Sequence, residues 1–147
     1  MKYYSYENFR DDTNSLIKQV KDYKPEIIVG IARGGLTLAH TMAEGLDVRD
    51  VQTIRTELYD DCDKRDSITI FGGCDFKDKK RVLVVDDIAD SGDTLKAVME
   101  HLSSKNSSVE FKTATLFYKN TSVYKPDVWI NEAKGWIEFF WEADFKN

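Results

Sequence analysis

The sequence predicts an α/β fold in which a parallel sheet is flanked by helices. Three observations carry this. Uninterrupted apolar runs such as Ile27-Ile28-Val29 and Val82-Leu83-Val84-Val85 are bounded by polar residues, which reads as strands buried on both faces. Each run enters a glycine-containing turn, and each turn is followed by apolar residues at helical spacing. Strand and helix therefore alternate as βα units, whose successive strands lie parallel. With 147 residues, 41% hydrophobic and 32% charged, the chain can bury a proper core and fits one domain over residues 1–147.

The elements follow in order. Ser5 can cap a first helix, in which Phe9, Leu16, Ile17, Val20 and Tyr23 recur at helical spacing until Lys24-Pro25 ends it. Glu26 to Ile31 is a strand entering Ala32-Arg33-Gly34-Gly35, and Leu36 to Glu44 is a helix with Gly45 as its expected C-cap. Val48 to Arg55 reads as the next strand, and the polar stretch Glu57 to Ser67, which lacks an apolar period, as a mobile loop that can act as a lid. Ile68 to Phe71 with Gly72-Gly73 reads as a short hairpin strand, Arg81 to Asp86 as the central strand, and Asp93 to about Ser103 as a helix. Val109 to Tyr118 and Asp127 to Ile130 complete the strands, and Trp136-Ile137-Glu138-Phe139-Phe140-Trp141 is an aromatic cluster that a plain α/β core does not require.

Composition narrows the partners. A net charge of -5 without any basic stripe argues against nucleic acid and anionic membrane, so an anionic ligand must be held locally. Cys62 and Cys74 lack histidine companions at metal spacing, and no signal peptide or long apolar segment is seen, which together predict free thiols and a cytoplasmic location. His40 and His101 are isolated on predicted helices, so surface or packing roles are expected of them.

The richest segment is Asp86-Asp87-Ile88-Ala89-Asp90-Ser91-Gly92-Asp93-Thr94, placed where the central strand ends and a helix begins. Backbone N–H groups of Asp90 to Thr94, helped by the Ser91 and Thr94 hydroxyls, can wrap a phosphate at the positive end of the helix dipole, and Gly92 permits close approach. Asp93 adds a negative charge beside this turn, which weakens phosphate binding unless its side chain turns to solvent and only its amide faces the ligand. Phosphate repels the acid pair, so Asp86 and Asp87 suit sugar hydroxyls or Mg²⁺, bound directly or through water. A ligand with a phosphate, a diol and a metal-bound diphosphate is phosphoribosyl pyrophosphate. An acid-capped βα turn is the plain alternative. An aspartyl-phosphate receiver domain also ends a strand with an acid pair, but near its start, whereas here the pair lies past the midpoint. Arg33, Gly34 and Gly35 form a second turn with anion chemistry, and the parallel fold puts both turns at one sheet edge.

The run Val82 to Thr94 resembles the diphosphate-sugar motif of the type I phosphoribosyltransferases, and the likeness extends from about Glu26 to Trp141, closest to the bacterial xanthine-guanine enzymes. The resemblance implies a Rossmann-like parallel sheet flanked by helices, with a small hood. It implies that Arg33, Gly34 and Gly35 hold pyrophosphate and that Tyr59 to Arg65 is the loop closing over it, with Arg65 reaching in. It further implies that Asp90 is the catalytic acid-base group at purine N7, that Lys119 donates to the 6-oxo group, and that Trp136 stacks on the base while the Ile137 backbone reads its other edge. The expected reaction joins a 6-oxopurine (guanine, xanthine or hypoxanthine) to phosphoribosyl pyrophosphate with Mg²⁺, giving the nucleoside 5′-monophosphate and pyrophosphate, in a homo-oligomer, dimer or tetramer. The alternative is a non-catalytic regulator of the same fold, which has less use for a proton acceptor at the base.

Overall fold

The computed structural model describes residues 1–59 and 67–146. Its elements are β1 (Lys2–Tyr4), α1 (Tyr6–Val20), β2 (Ile27–Ala32), α2 (Leu36–Leu46), β3 (Val51–Tyr59), β4 (Ser67–Phe71), β5 (Arg81–Ala89), α3 (Asp93–Lys105), β6 (Glu110–Tyr118), β7 (Val128–Glu132), β8 (Ile137–Phe139) and the short α4 (Phe140–Ala143). Six strands form one sheet in the order β4-β3-β2-β5-β6-β7, and β1 pairs with β8 in a separate two-stranded sheet. The large sheet is parallel except at its edge, where β4 runs antiparallel to β3.

The apolar runs are buried on both faces, as their composition requires. Along β5, Leu83 and Val85 join a cluster with Phe9, Leu16, Leu38 and Met42 of α1 and α2, whereas Val82 and Val84 face Leu95, Val98 and Leu102 of α3. Successive side chains of a strand point to opposite faces, so a run with no polar alternation needs a helix on each side. Gly30 in β2 lets α2 approach: a Cβ there would stand 2.8 Å from the Ala39 Cβ.

Strand bounds shift by a few residues, β3 beginning at Val51 rather than Val48, β5 running on to Ala89 rather than ending at Asp86, and β7 spanning Val128–Glu132, and three further differences stand out. The α2 helix passes through Gly45 and is capped by Asp47 in the left-handed conformation, whose N–H bonds to the Ala43 and Glu44 carbonyls. Gly45 instead meets Ile17 of α1, where any Cβ would collide with the Ile17 side chain, so its smallness serves helix packing. The polar stretch expected as a loop from Glu57 to Ser67 is partly strand: β3 pairs with β4 from Arg55↔Phe71 to Tyr59↔Ser67. Gly72-Gly73 lies beyond the paired strand, and the rest of the expected loop, residues 60–66, lies outside the described residues. The third difference is β1, three residues with no readable period.

The chain order places both predicted turns together. From β2 the chain moves outward through α2 to β3, and from β5 it moves the opposite way through α3 to β6, so the sheet's order reverses between β2 and β5. Loops at the carboxyl ends of strands flanking such a reversal diverge and leave a crevice. The β2–α2 turn carries Arg33; Asp86 and Asp87 lie in the last residues of β5, not beyond the strand's end as the sequence reading had it, and the turn from Asp90 to Gly92 leads into α3, whose first residues are Asp93 and Thr94.

Candidate functional site

Three adjoining clefts occupy this crevice. One of about 240 Å³ is lined by Asp86, Asp87, Asp90, Ser91, Gly92 and Thr94 among others. A second, about 210 Å³, is bounded by Asp87, Ile88, Asp90, Trp136, Ile137 and Glu142. The two share Asp87, Ile88 and Asp90. A third, about 470 Å³, is lined by Arg33, Gly34, Thr37, Trp141, Glu142 and Lys146 and meets the second at Glu142.

The β5–α3 turn leads into a helix N-terminus that no side chain caps. Gly92, which precedes α3, sits at φ 84°, in the left-handed region that favours glycine. The Asp93 N–H donates to Ser91 Oγ at 3.2 Å. Asp93 is exposed and contributes nothing to the lining of the 240 Å³ cleft, so of the two arrangements the sequence left open its side chain takes the one directed to solvent. Thr94 does line it.

The acid pair is buried, with Asp86 8% and Asp87 9% exposed. The Asp87 N–H donates to Asp86 Oδ1 at 2.9 Å, and the Ile88 N–H donates to Asp87 Oδ1 at 2.7 Å. Burial raises the Asp86 carboxyl well above the usual carboxylate range, and the adjacent Asp87 charge adds to this. Burial likewise pushes Asp87 up to about 6, with the Glu142 charge adding to the rise while hydrogen bonds from its neighbours oppose it. A buried acid pair with raised affinity for protons is also a pair that gains from a cation. Among the described residues no group of three or more His, Cys, Asp or Glu could cage a metal ion. Two adjacent carboxylates are the kind of donor set that Mg²⁺ takes when water and ligand oxygens fill its remaining positions.

The glycine turn has two distinct parts. Gly34 stands against the acid pair: a Cβ there would overlap the Asp87 carboxylate, with Asp87 Cγ only 2.8 Å away. Gly35 is used internally, its N–H donating to the Ile31 carbonyl at 2.8 Å and its α-carbon lying against the Val85 and Ile31 carbonyls. The sequence reading offered both amides to a ligand; the Gly35 amide closes the turn instead. The peptide bond between Ala32 and Arg33 is cis. Arg33 is exposed and lines the third cleft.

Of the remaining predicted residues, Trp136 and Ile137 line the second cleft with Asp90. Lys119 does not line it, but its Nζ lies 3.7 Å from Asp90 Oδ1, which sets a cationic donor beside an anionic acceptor. Trp136 is 69% exposed, so it is not a core aromatic, while Ile137 beside it is buried. The Lys2 N–H donates to the Trp136 carbonyl at 2.9 Å, so β1 fixes the strand that carries this pair. Arg65 and Cys62 lie outside the described residues. Cys74 is a free thiol whose half-buried position raises its pKa. His40 is on the surface, 3.6 Å from Glu44 on the same helix. Glu142 was missed by the sequence reading. It follows the aromatic cluster directly, and the only available signal was a lone acid ending that apolar run.

The family profile described as "Phosphoribosyl transferase domain" matches residues 2–146. The chain belongs to the phosphoribosyltransferase family. A solved structure of Helicobacter pylori xanthine-guanine-hypoxanthine phosphoribosyltransferase superposes with a TM-score of 0.93 at 40% identity, covering 99% of this chain and 96% of that one. The purine phosphoribosyltransferase of Pyrococcus horikoshii gives a TM-score of 0.84 at 33% identity, covering 95% and 92%. In sequence, a xanthine-guanine phosphoribosyltransferase of Chromohalobacter salexigens is 31% identical over 140 residues, 94% of this chain and 82% of the relative. The mainly parallel sheet flanked by helices is thus the fold of a phosphoribosyltransferase. No helix among the described residues is long and apolar enough to cross a membrane.

Proposed function

We propose that this phosphoribosyltransferase converts a 6-oxopurine and phosphoribosyl pyrophosphate to the purine nucleoside 5′-monophosphate and pyrophosphate. The observation that carries the reading is the joining of an anion cleft to a second cleft across Asp87 and Asp90, with Lys119 opposite Asp90 and an exposed indole at the far wall. A 6-oxopurine presents an oxo acceptor beside N7. Lys119 meets the first as a donor, and Asp90 meets the protonated N7 as an acceptor. Trp136 offers its face for stacking. The relatives' names, which specify xanthine, guanine and hypoxanthine, support the same base class.

In this reading the Asp90, Ser91, Gly92, Asp93 and Thr94 turn receives the 5′-phosphate. Arg33, the Gly34 amide and Arg65 receive the diphosphate, and Gly35 shapes their turn. Asp86 and Asp87 would hold the ribose hydroxyls and Mg²⁺, which would supply positive charge to the diphosphate. The bond from C1′ to the diphosphate oxygen breaks and the bond from C1′ to the purine N9 forms. Asp90 takes the proton that the base must give up at N7. The charge that accumulates on the departing diphosphate is met by groups already in place, which is where the barrier is lowered. The protein works in the cytoplasm as a homo-oligomer, and the exposed Tyr6 and Phe145 supply apolar surface for that assembly.

The test is to incubate the protein with phosphoribosyl pyrophosphate and Mg²⁺ against hypoxanthine, guanine, xanthine, adenine, uracil and orotate, and to separate nucleotides from bases by chromatography. Nucleotide from a 6-oxopurine, abolished by chelation, is expected. Absence of product from every base, with the protein folded, would replace the enzyme with a regulator of the same fold.

A further inference from the structure

The chain leaving β6 crosses back over the turn that leaves β5 and holds it at several points. The Lys119 N–H donates to the Ala89 carbonyl at 3.0 Å, and the Val123 N–H donates to the Ser91 carbonyl at 2.8 Å. Between them the Lys119 side chain reaches Asp90. Gly92 is pressed against the same segment: a Cβ would overlap Ser122 Oγ and stand 2.7 Å from the Tyr124 nitrogen and 2.9 Å from that of Val123. The segment has its own bracing. Ser122 N–H closes its turn on the Lys119 carbonyl at 2.8 Å. Ser122 Oγ donates to the Tyr124 carbonyl at 2.7 Å and accepts from the Tyr124 N–H at 3.3 Å. Asp127 Oδ2 ties the far end to the Thr113 N–H at 2.8 Å and to the Thr113 hydroxyl at 3.1 Å.

The consequence follows from peptide geometry. In a planar trans peptide the C=O of one residue and the N–H of the next point in opposite directions. Holding the carbonyls of Ala89 and Ser91 toward this segment therefore turns the N–H groups of Asp90 and Gly92 away from it. Both residues line the 240 Å³ cleft. We propose that residues 119–124 are a positioning strap: its Val123 N–H, by holding the Ser91 carbonyl, presets the amides of the β5–α3 turn to receive a phosphate monoester before any ligand arrives. A turn fixed in advance need not be ordered by the ligand, so the ligand binds more tightly. The same strap begins at Lys119, so the residue at the base edge and the brace of the phosphate turn are one continuous piece of backbone.

The inference rests on the phosphate role proposed above, and the test separates the two. Calorimetry measures the Kd of phosphoribosyl pyrophosphate with Mg²⁺ for the parent protein, Val123→Pro and Val123→Ala, and steady-state assays give KM for sugar and base. Val123 is 61% exposed, so its side chain contributes little packing, and proline removes the N–H while alanine keeps it. Val123→Pro is expected to raise Kd and KM for the diphosphate sugar at least tenfold relative to Val123→Ala, with KM for the base changing less than threefold. Equal sugar affinity in the two variants, or a rise of the same size for both substrates, would overturn the strap while leaving the functional reading intact. A parent protein that binds no phosphoribosyl pyrophosphate would overturn both. If Val123→Pro does not fold, Ser122→Ala against Ser122→Thr reads the same property. A rise of threefold or more in Kd for the alanine variant, reversed by threonine, is then expected, and its absence counts against the strap.

Discussion

Replacing Gly34 with alanine tests the contact on which the crevice is built. The added Cβ would lie 2.8 Å from Asp87 Cγ and closer still to one carboxylate oxygen. Carbon atoms prefer about 3.5–4.0 Å, so the carboxylate or the turn must move by roughly 1 Å. Asp87 cannot swing freely, because it is 9% exposed and its Oδ1 accepts from the Ile88 N–H at 2.7 Å. Overpacking of this kind costs about 1–3 kcal/mol. At ~2–4 °C per kcal/mol for a domain of this size, Gly34→Ala should lower Tm by roughly 2–12 °C. A misplacement of ~1 Å at reacting groups costs on the order of 100-fold in rate. Transferase assays at saturating guanine and phosphoribosyl pyrophosphate, beside a thermal melt, read both effects. Full turnover with an unshifted melt would show that Gly34 does not press on Asp87 as described, or that Asp87 has no part in the reaction.

Other expectations are as direct. Asp90→Asn removes the proton acceptor and should lower kcat by about 10²–10⁴-fold. Because Asp90 and Lys119 are both largely exposed, the same change should cost no more than about 1 kcal/mol of stability, and a kcat within threefold of the parent would remove Asp90 from the mechanism. Lys119→Ala should reduce the preference for hypoxanthine over adenine by about tenfold, the worth of one partly exposed charged hydrogen bond, and an unchanged ratio of kcat/KM values would exclude that role. Without metal or ligand, pH should act through the acid pair. The folded-state pKa of Asp87 lies above its unfolded value, so its contribution to stability is full below about pH 4 and is lost as pH rises through about 6. Against Asp87→Asn, the parent should lose stability as pH rises from 4 to 7 in denaturant titrations, and parallel pH profiles would refute the shift.

Much of this was readable from residues alone, for a physical reason. A strand buried on both faces must be continuously apolar, so Val82 to Val85 announces itself, and the turn after it needs small and hydroxyl-bearing residues whatever the surroundings. Trp136 was legible because its neighbours and spacing resemble a known base site, and its exposure bears out that it is no core residue. Other features left no local trace. Lys2 to Tyr4 is too short to show a period, and it becomes a strand only because Ile137 to Phe139 arrives beside it. Gly45 carried the usual mark of a helix end, yet contact with Ile17 of another helix decided its use. The β3–β4 pairing runs through polar residues because an edge hairpin can leave its outer face in water. Glu142 and residues 119–124 matter through contacts across the fold, which no window of sequence contains.

The pairing of β1 with β8 has a consequence for the order in which the site comes into being. Lys2 must find Ile137 and Tyr4 must find Phe139 before the strand beside Trp136 is fixed. Closing so long a loop carries an entropic cost that rewards only a chain already collapsed. The sheet contacts around β5, by contrast, are complete once β6 has been made. The backbone beside Trp136 is therefore held by the opposite end of the chain, whereas the strands that carry the β5–α3 turn are paired without either terminus.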